Sequence, residues 1–129
     1  MTLTLTHEDL LNFNGCDQPY FHEQIKAFQY TEGVRHVAQA GGAYWLLVQI
    51  SYAQLYLGVS KEEFQVWRLT VNEDRSARLT CTDGGKDIDN HGDISEKTVY
   101  SKDIPYTDFP LSEITFYLEW DMLMLPRER

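Results

Sequence analysis

The sequence of 129 residues is poor in cysteine and proline and has no apolar run of membrane-spanning length. Its two cysteines, Cys16 and Cys81, lie far apart, whereas small secreted domains more often carry several paired cysteines. The first nine residues contain no Lys or Arg and no apolar run of signal-peptide length, so export is not expected. These absences predict a cytoplasmic protein.

Charged residues are missing from residues 36–60, which contain no Asp, Glu, Lys or Arg. The apolar part, residues 43–57, is shorter than the roughly 20 residues that a membrane-spanning helix needs, and it is interrupted by Gln49, Ser51 and Gln54. The pattern therefore predicts a helix buried in the core, covered by the sheet on one side and by the first helices on another.

Basic residues are scarce, with 11 Lys and Arg against 20 Asp and Glu and a net charge of −9. A nucleic-acid-binding protein presents a patch of Lys and Arg, so direct binding to nucleic acid is not expected. The chain is also too rich in hydrophobic residues, at 43%, for a disordered acidic tail. Its length fits one domain, residues 1–129.

Helix signals fill the first half of the chain. Thr6, followed three residues later by Asp9, is close to a capping box. Thr31 is a second candidate cap, because Val34 and Val37 follow it at helical spacing. Glycines at positions 41, 42 and 58 end the two longer helices.

Strand signals fill the second half. Apolar residues alternate with polar ones, and short turns rich in Asn, Asp or Pro separate the segments. The expected strands are residues 64–71, 77–82, 98–104, 114–120 and 122–125, with residues 26–30 as a short extended piece. Helices followed by strands predict an α+β fold, with the N-terminal helices packed on one face of a four- to five-stranded antiparallel meander sheet.

Four segments together resemble a family of short acidic bacterial proteins of unknown function, which occurs in cyanobacteria and on plasmids and other mobile elements. The segments are GAYWLL at 42–47, FQVWRLTV at 64–71, LTCTDG at 79–84 and IPYTDFPL at 104–111. The resemblance covers about residues 10–126. It implies no cofactor and no catalytic residue, and the loop between Gly84 and Thr98 looks longer and more acidic than the family pattern.

The acidic loop, residues 83–93, partly matches a calcium-binding loop, because Asp87, Asp89 and Gly92 fall at its first, third and sixth positions. His91 and Thr98 stand where an oxygen ligand and a bidentate glutamate are needed, so we expect a solvated loop and no metal. The four histidines have no ligand spacing, and His36 is expected to contact Glu32 at i−4.

Negative charge is concentrated in residues 83–113, whose eight carboxylates and three lysines contribute −5 of the net −9. Such a concentration attracts proteins with a basic surface. The residues that we expect on this acidic face are Asp83, Asp87, Asp89, Asp93, Glu96, Asp103 and Asp108.

No catalytic motif accompanies this charge. The glycine pairs lack the frame of a phosphate-binding loop, no Ser nucleophile elbow is present, and Cys81 falls on the inward phase of its strand, where a thiol is inert. The sequence therefore favours a non-enzymatic protein-interaction module. Together with the family resemblance, it suggests an inhibitor of a nucleic-acid-targeting defence complex, of the anti-CRISPR or DNA-mimic type.

Two alternatives remain open. In the first, the chain is a small ligand-binding or enzymatic domain with a pocket between the central helix and the sheet, using Tyr44, Gln49, His36 or Glu32. In the second, the chain is a structural oligomer that pairs through an edge strand such as residues 122–125.

Overall fold

A mixed α+β architecture is seen in the structure, a computed structural model that describes residues 5–13, 19–22, 25–85, 87–88 and 94–129. The helices are α1 (His7–Leu10), α2 (Glu32–Ala40) and α3 (Tyr44–Tyr56), with 3₁₀ segments at Val59–Lys61 and Pro126–Glu128. The strands are β1 (Tyr20–His22), β2 (Ile25–Tyr30), β3 (Phe64–Val71), β4 (Ala77–Thr82), β5 (Asp87–Ile88), β6 (Ile94–Ser95), β7 (Thr98–Ile104), β8 (Glu113–Glu119) and β9 (Met122–Met124).

The helix ends follow the capping signals of the sequence. Thr6 and Asp9 form a reciprocal capping box at α1, and the Thr31 hydroxyl accepts a hydrogen bond from the Val34 N–H at the start of α2. Gly42 and Gly58 have positive φ, a conformation that glycine adopts without steric cost. The predicted positions of all three helices are thereby confirmed.

The sheet is larger than predicted and is not an antiparallel meander. Seven strands lie in the order β1-β2-β9-β8-β3-β4-β7, while β5 and β6 form a separate small hairpin. Neighbouring strands are antiparallel except β2 and β9, which pair in parallel through Gln29 with Met122 and Tyr30 with Leu123. The sequence pattern alone does not show this pairing, because it joins segments from opposite ends of the chain.

One connection carries the chain across the end of the sheet. Residues 105–112 lead from β7, at one edge, past β4 and β3 to β8. Arg75, in the turn between β3 and β4, holds this connection: its guanidinium donates to the carbonyl oxygens of Thr107 at 3.0 Å and Phe109 at 2.6 Å. The Phe109 side chain beneath it is fully buried.

The core lies between one face of the sheet and the helices. Alternate residues of β3 and β8, among them Trp67, Leu69 and Phe116, form one buried cluster with Val34 of α2 and Leu46 of α3. Burying this apolar surface is the main force that holds the layers together. Cys81 lies in the same cluster, as its strand phase predicts.

The central helix α3 is partly exposed, whereas its uncharged apolar sequence predicts a helix buried in the core. Its inner side is buried, but Val48, Tyr52, Leu55 and Tyr56 are exposed, with 40% to 70% of each side chain accessible. The outer side of α3 is therefore not covered by any neighbour in the described part of the chain.

Helix length also bears on the membrane question. Among the described residues, no helix combines the length and the apolar character that crossing a bilayer requires; α3, the longest, has 13 residues.

Candidate functional site

Of the seven residues predicted for the acidic face, the structure describes the side chains of four, and their environments differ. Asp83 is buried, and its Oδ1 accepts the backbone N–H groups of Gly85 and Lys97, each at 3.0 Å. It thus ties together the two ends of the segment between β4 and β7, and its side chain is not exposed at the surface. Asp87 lies in β5, where only its backbone is described, and Asp89 and Asp93 lie outside the described residues.

Two further members of that face are already paired. Glu96 receives two hydrogen bonds from the Arg68 guanidinium, at 3.0 and 3.3 Å, and Asp103 pairs with Arg78 at 2.8 Å. Asp108 is exposed on the connection between β7 and β8. Each arginine cancels one negative charge, so the described part of this surface is less acidic than the sequence suggested.

The histidine at position 36 lies beside a different carboxylate from the expected one. Its Nε2 is 3.6 Å from Oδ2 of Asp9, and its ring packs against Phe13. The pKa of Asp9 is lowered, chiefly because its carboxylate accepts the Thr6 backbone N–H and secondarily because of His36. The described residues contain no group of three or more His, Cys, Asp or Glu side chains able to hold a metal ion.

Cys81 behaves as a buried hydrophobic residue. Its side chain is fully enclosed, and burial, reinforced by the negative charges of Glu62 and Asp83, raises the pKa of the thiol to about 12. A nucleophilic cysteine needs the opposite shift. Cys16 lies outside the described residues.

Four acidic residues line a pocket of about 530 Å³ at the opposite end of the sheet from Arg75. The end of α3, the segment leading into β3 and the turn between β8 and β9 surround it. We call it the acid pocket; it is lined by Glu62, Glu63, Glu119 and Asp121, together with the apolar side chains of Leu55 and Trp120. Glu63 and Asp121 are exposed and have no ion pair among the described residues.

Trp120 stands at the rim of the acid pocket. It forms with Asp121 the two-residue turn between β8 and β9, where Glu119 pairs with Met122. Both turn residues have a φ of +56°, which glycine or asparagine adopts more readily than tryptophan. The side chain is 89% exposed, so packing within the chain does not explain a large aromatic residue here.

A guanidinium next to the pocket shows what this surface can hold. Arg129 lies 4.5 Å above the ring centroid of Phe64, and its Nε donates to the Glu119 carboxylate at 2.9 Å. Its guanidinium carbon is also 5.9 Å from the Tyr117 ring centroid. Carboxylate on one side and aromatic ring on the other is the environment that favours arginine.

The floor of the acid pocket is polar but internally satisfied. Gln54 of α3 and Gln65 of β3 exchange two amide hydrogen bonds, at 2.7 and 2.9 Å, and Gln65 Oε1 also accepts the Trp67 indole N–H at 2.8 Å. Buried amides with all their partners hold a single arrangement. The floor is therefore a rigid base, and the chemistry open to a ligand lies with the carboxylates and Trp120.

The sequence predicts neither the acid pocket nor its residues. Glu62 and Glu63 are adjacent in the chain, which argues against a catalytic pair, while Glu119 and Asp121 lie before and within a turn far from them in sequence. The available signal was Trp120, an aromatic residue at the end of the predicted strand 114–120, next to the break before residues 122–125. The pocket also lies at the seam between the central helix and the sheet, but Tyr44, Gln49, His36 and Glu32 do not line it.

Comparison with known proteins places the chain in a family. Residues 4–129 match a family of unknown function, DUF6876, and the chain therefore belongs to it. No curated protein and no solved structure matches the sequence. The predicted relationship to an uncharacterised family is confirmed to that extent.

Proposed function

We propose that this member of DUF6876 is a non-enzymatic protein-interaction module that holds a Lys or Arg side chain of its partner in the acid pocket. One observation carries the proposal: four carboxylate residues, of which Glu119 is paired with Arg129, and an 89% exposed tryptophan line a single pocket. It supports an acidic binding surface at the turn between β8 and β9 in preference to the loop after β4.

The attraction has two physical sources. Clustered carboxylates create a negative potential that draws a cationic side chain into the pocket, and the effect weakens as salt screens it. An aromatic face adds roughly 0.5–2 kcal/mol to the binding of a cation placed above it. Arg129, held between Glu119 and Phe64, supports the choice of a guanidinium as ligand.

The partner in this proposal is a protein with a basic surface. A nucleic-acid-binding groove is one such surface. The proposal therefore still includes the predicted role of this chain as an inhibitor, encoded on a bacterial mobile element, of a nucleic-acid-targeting defence complex. The pairing of Glu96 with Arg68 and of Asp103 with Arg78 argues against imitation of a DNA backbone by the sheet face, because those charges are neutralised.

A peptide titration tests the proposal. Hexa-arginine peptide is titrated by calorimetry into the full chain and into the double variant Glu63→Gln/Asp121→Asn. The matched control, Glu73→Gln/Asp108→Asn, removes the same charge from exposed residues at the other end of the sheet. Asp108 belongs to the sequence-predicted acidic face, so the comparison also decides between the two surfaces.

We expect the acid-pocket variant to bind at least about tenfold more weakly and the control less than about threefold, a difference of more than about 0.7 kcal/mol. Binding of the unchanged chain should weaken from low to physiological salt. Equal losses in the two variants would show non-specific attraction to an acidic protein and overturn the proposal.

A second candidate is the binding of a small cationic molecule. The position of the acid pocket between α3 and the sheet favours it, and its volume of about 530 Å³ lies within the range of small-molecule sites. Agmatine is a suitable probe because it carries a guanidinium on a short chain. Binding of agmatine as tight as that of hexa-arginine would favour this candidate over a protein partner.

A further inference from the structure

The outer side of α3 presents an apolar surface that borders the acid pocket at Leu55. We call it the apolar stripe: Val48, Tyr52, Leu55 and Tyr56, with Leu57 directly after the helix, are all exposed. The spacing i, i+4, i+7, i+8 puts the four helical residues on one face. The rings of Tyr52 and Tyr56 lie 5.0 Å apart, so the stripe is continuous at its centre.

The apolar stripe is also the uncharged part of an acidic chain. No Asp, Glu, Lys or Arg occurs in residues 36–60, although the chain carries a net charge of −9. Two copies of such a protein repel each other through most of their surfaces. Contact along α3 removes apolar side chains from water and brings no carboxylate of that helix against its counterpart.

The size of the stripe suits a dimer of moderate affinity. A helix of 13 residues is about 20 Å long. Two half-exposed tyrosines and three aliphatic side chains offer roughly 500 Å² per copy, so a pair buries about 1,000 Å², close to the lower limit for a specific interface.

We propose that the apolar stripe is the contact surface of a homodimer, in which two copies of α3 pack antiparallel about a two-fold axis. A two-fold interface uses the same patch on both copies, so the patch must be complementary to itself. An uncharged stripe of aliphatic and tyrosine side chains meets this condition, whereas the acid pocket, with charge of one sign, does not. Antiparallel packing also places the partly positive N-terminus of each α3 helix near the partly negative C-terminus of the other, which is electrostatically favourable.

Sedimentation over a wide concentration range, about 5–500 µM, tests this proposal with the full chain. The unchanged chain should rise from 15.0 kDa to twice that mass, with a dissociation constant in the micromolar range. Tyr52→Glu should stay at the monomer mass throughout. Gln39→Glu, the same charge change at an exposed position of α2, should dimerise as the unchanged chain does, within about twofold.

Further readouts separate this proposal from the acid pocket. Tyr52 does not line that pocket, so Tyr52→Glu should bind hexa-arginine as the unchanged chain does, and Trp120→Asn should dimerise normally. High salt should strengthen the dimer, because it screens the repulsion between acidic copies, while it weakens the peptide complex. Tyr56→Ser, a milder change at another exposed position, should also weaken dimerisation at least about fivefold.

Three results would overturn the dimer. They are a mass of 15.0 kDa at every concentration, unimpaired dimerisation of Tyr52→Glu, and a continuous rise beyond two copies, which indicates head-to-tail association. Circular dichroism of each variant confirms that a lost dimer is not a lost fold.

Discussion

Gly33 and Glu128 are hydrogen-bonded although 95 positions separate them in the sequence: the Gly33 N–H donates to the Glu128 carboxylate at 3.1 Å. The same carboxylate accepts the Thr31 hydroxyl and the Leu125 backbone N–H at 2.9 Å. Glu128 is buried, so its charge depends on these donors and on the first turn of α2 for stabilisation. The contact attaches the segment after β9 to the helix layer.

Gly33→Ala is expected to destabilise the fold by about 1–3 kcal/mol, through overpacking. A Cβ at this position would lie 2.6 Å from Glu128 Oε1 and 2.6 Å from Leu125 Cδ1, so both side chains must move. Urea unfolding followed by circular dichroism measures the loss. Gln39→Ala, at an exposed position of the same helix, is the control and should change the stability by less than about 0.5 kcal/mol.

A double-mutant cycle assigns the cause of that loss. Glu128→Ala alone should cost roughly 2–4 kcal/mol, because three donors lose their acceptor. In the Glu128→Ala background, Gly33→Ala should cost at least about 1 kcal/mol less than in the unchanged chain, since one of the two clashing groups is gone. Strict additivity would show that the Gly33 effect does not come from Glu128.

Arg75 provides a second prediction, because its backbone and its side chain impose opposite requirements. Its φ of +69° suits glycine, while its guanidinium holds the carbonyl oxygens of Thr107 and Phe109. Both Arg75→Ala and Arg75→Gly should therefore destabilise the protein, by about 1–3 kcal/mol. Arg75→Gly should be the less harmful by about 1 kcal/mol, because it relieves the left-handed backbone. Thermal unfolding of the two variants gives the order, and the reverse order contradicts this account.

The two N-terminal strands show where sequence patterns stop predicting the fold. Strand β3 is predicted at its observed bounds because eight residues of alternating and β-branched character lie between clear turn signals. Strand β2 is predicted only as an extended piece, and β1, with three residues, is too short to show a pattern. Their places in the sheet depend on pairing with β9, a long-range contact that no local pattern records.

The clustering of acidic residues in the sequence did not predict which carboxylates line the same pocket in the fold. The carboxylates of residues 83–113 are close in sequence, yet Asp83 faces inward and Glu96 and Asp103 are paired with arginines from neighbouring strands. Glu63 and Asp121, far apart in sequence, line one pocket because β3 and β8 are neighbours in the sheet. Convergence of this kind follows from strand order, which the sequence did not reveal.

Cys81 predicts an alkaline loss of stability. Its thiol has a pKa of about 12 in the fold, against an ordinary value of 9.0, because burial disfavours the thiolate. Above pH 9.0 the unfolded chain releases this proton while the folded chain keeps it. The free energy of unfolding should therefore fall between pH 9 and 12, by at most about 1.4 kcal/mol per pH unit from this group.

Denaturant titrations at several alkaline pH values measure this slope. Cys81→Ala, which has no titratable group, should show a shallower decline than the unchanged chain over the same interval. The folded thiol should also resist alkylation by iodoacetamide at pH 8 and react only after unfolding. Equal slopes for the two proteins would mean that Cys81 ionises as readily in the fold as outside it.

Trp120→Asn should weaken peptide binding without weakening the fold. Asparagine adopts positive φ with less strain than tryptophan, and the Trp120 side chain is 89% exposed, so its removal sacrifices little buried surface. We expect the free energy of unfolding to stay unchanged or to rise by up to about 1 kcal/mol. Binding of hexa-arginine should weaken by about three- to tenfold, because the cation–π contact is lost.

Tyr106→Asn is the matched control, since it also removes an exposed aromatic ring, on the connection between β7 and β8. It should leave hexa-arginine binding unchanged. If the tryptophan is held in an unfavourable turn for the sake of binding, calorimetry of Trp120→Asn must show weaker binding while urea unfolding shows unchanged or increased stability. A variant that is clearly destabilised but binds the peptide normally would assign Trp120 to the fold and remove it from the acid pocket.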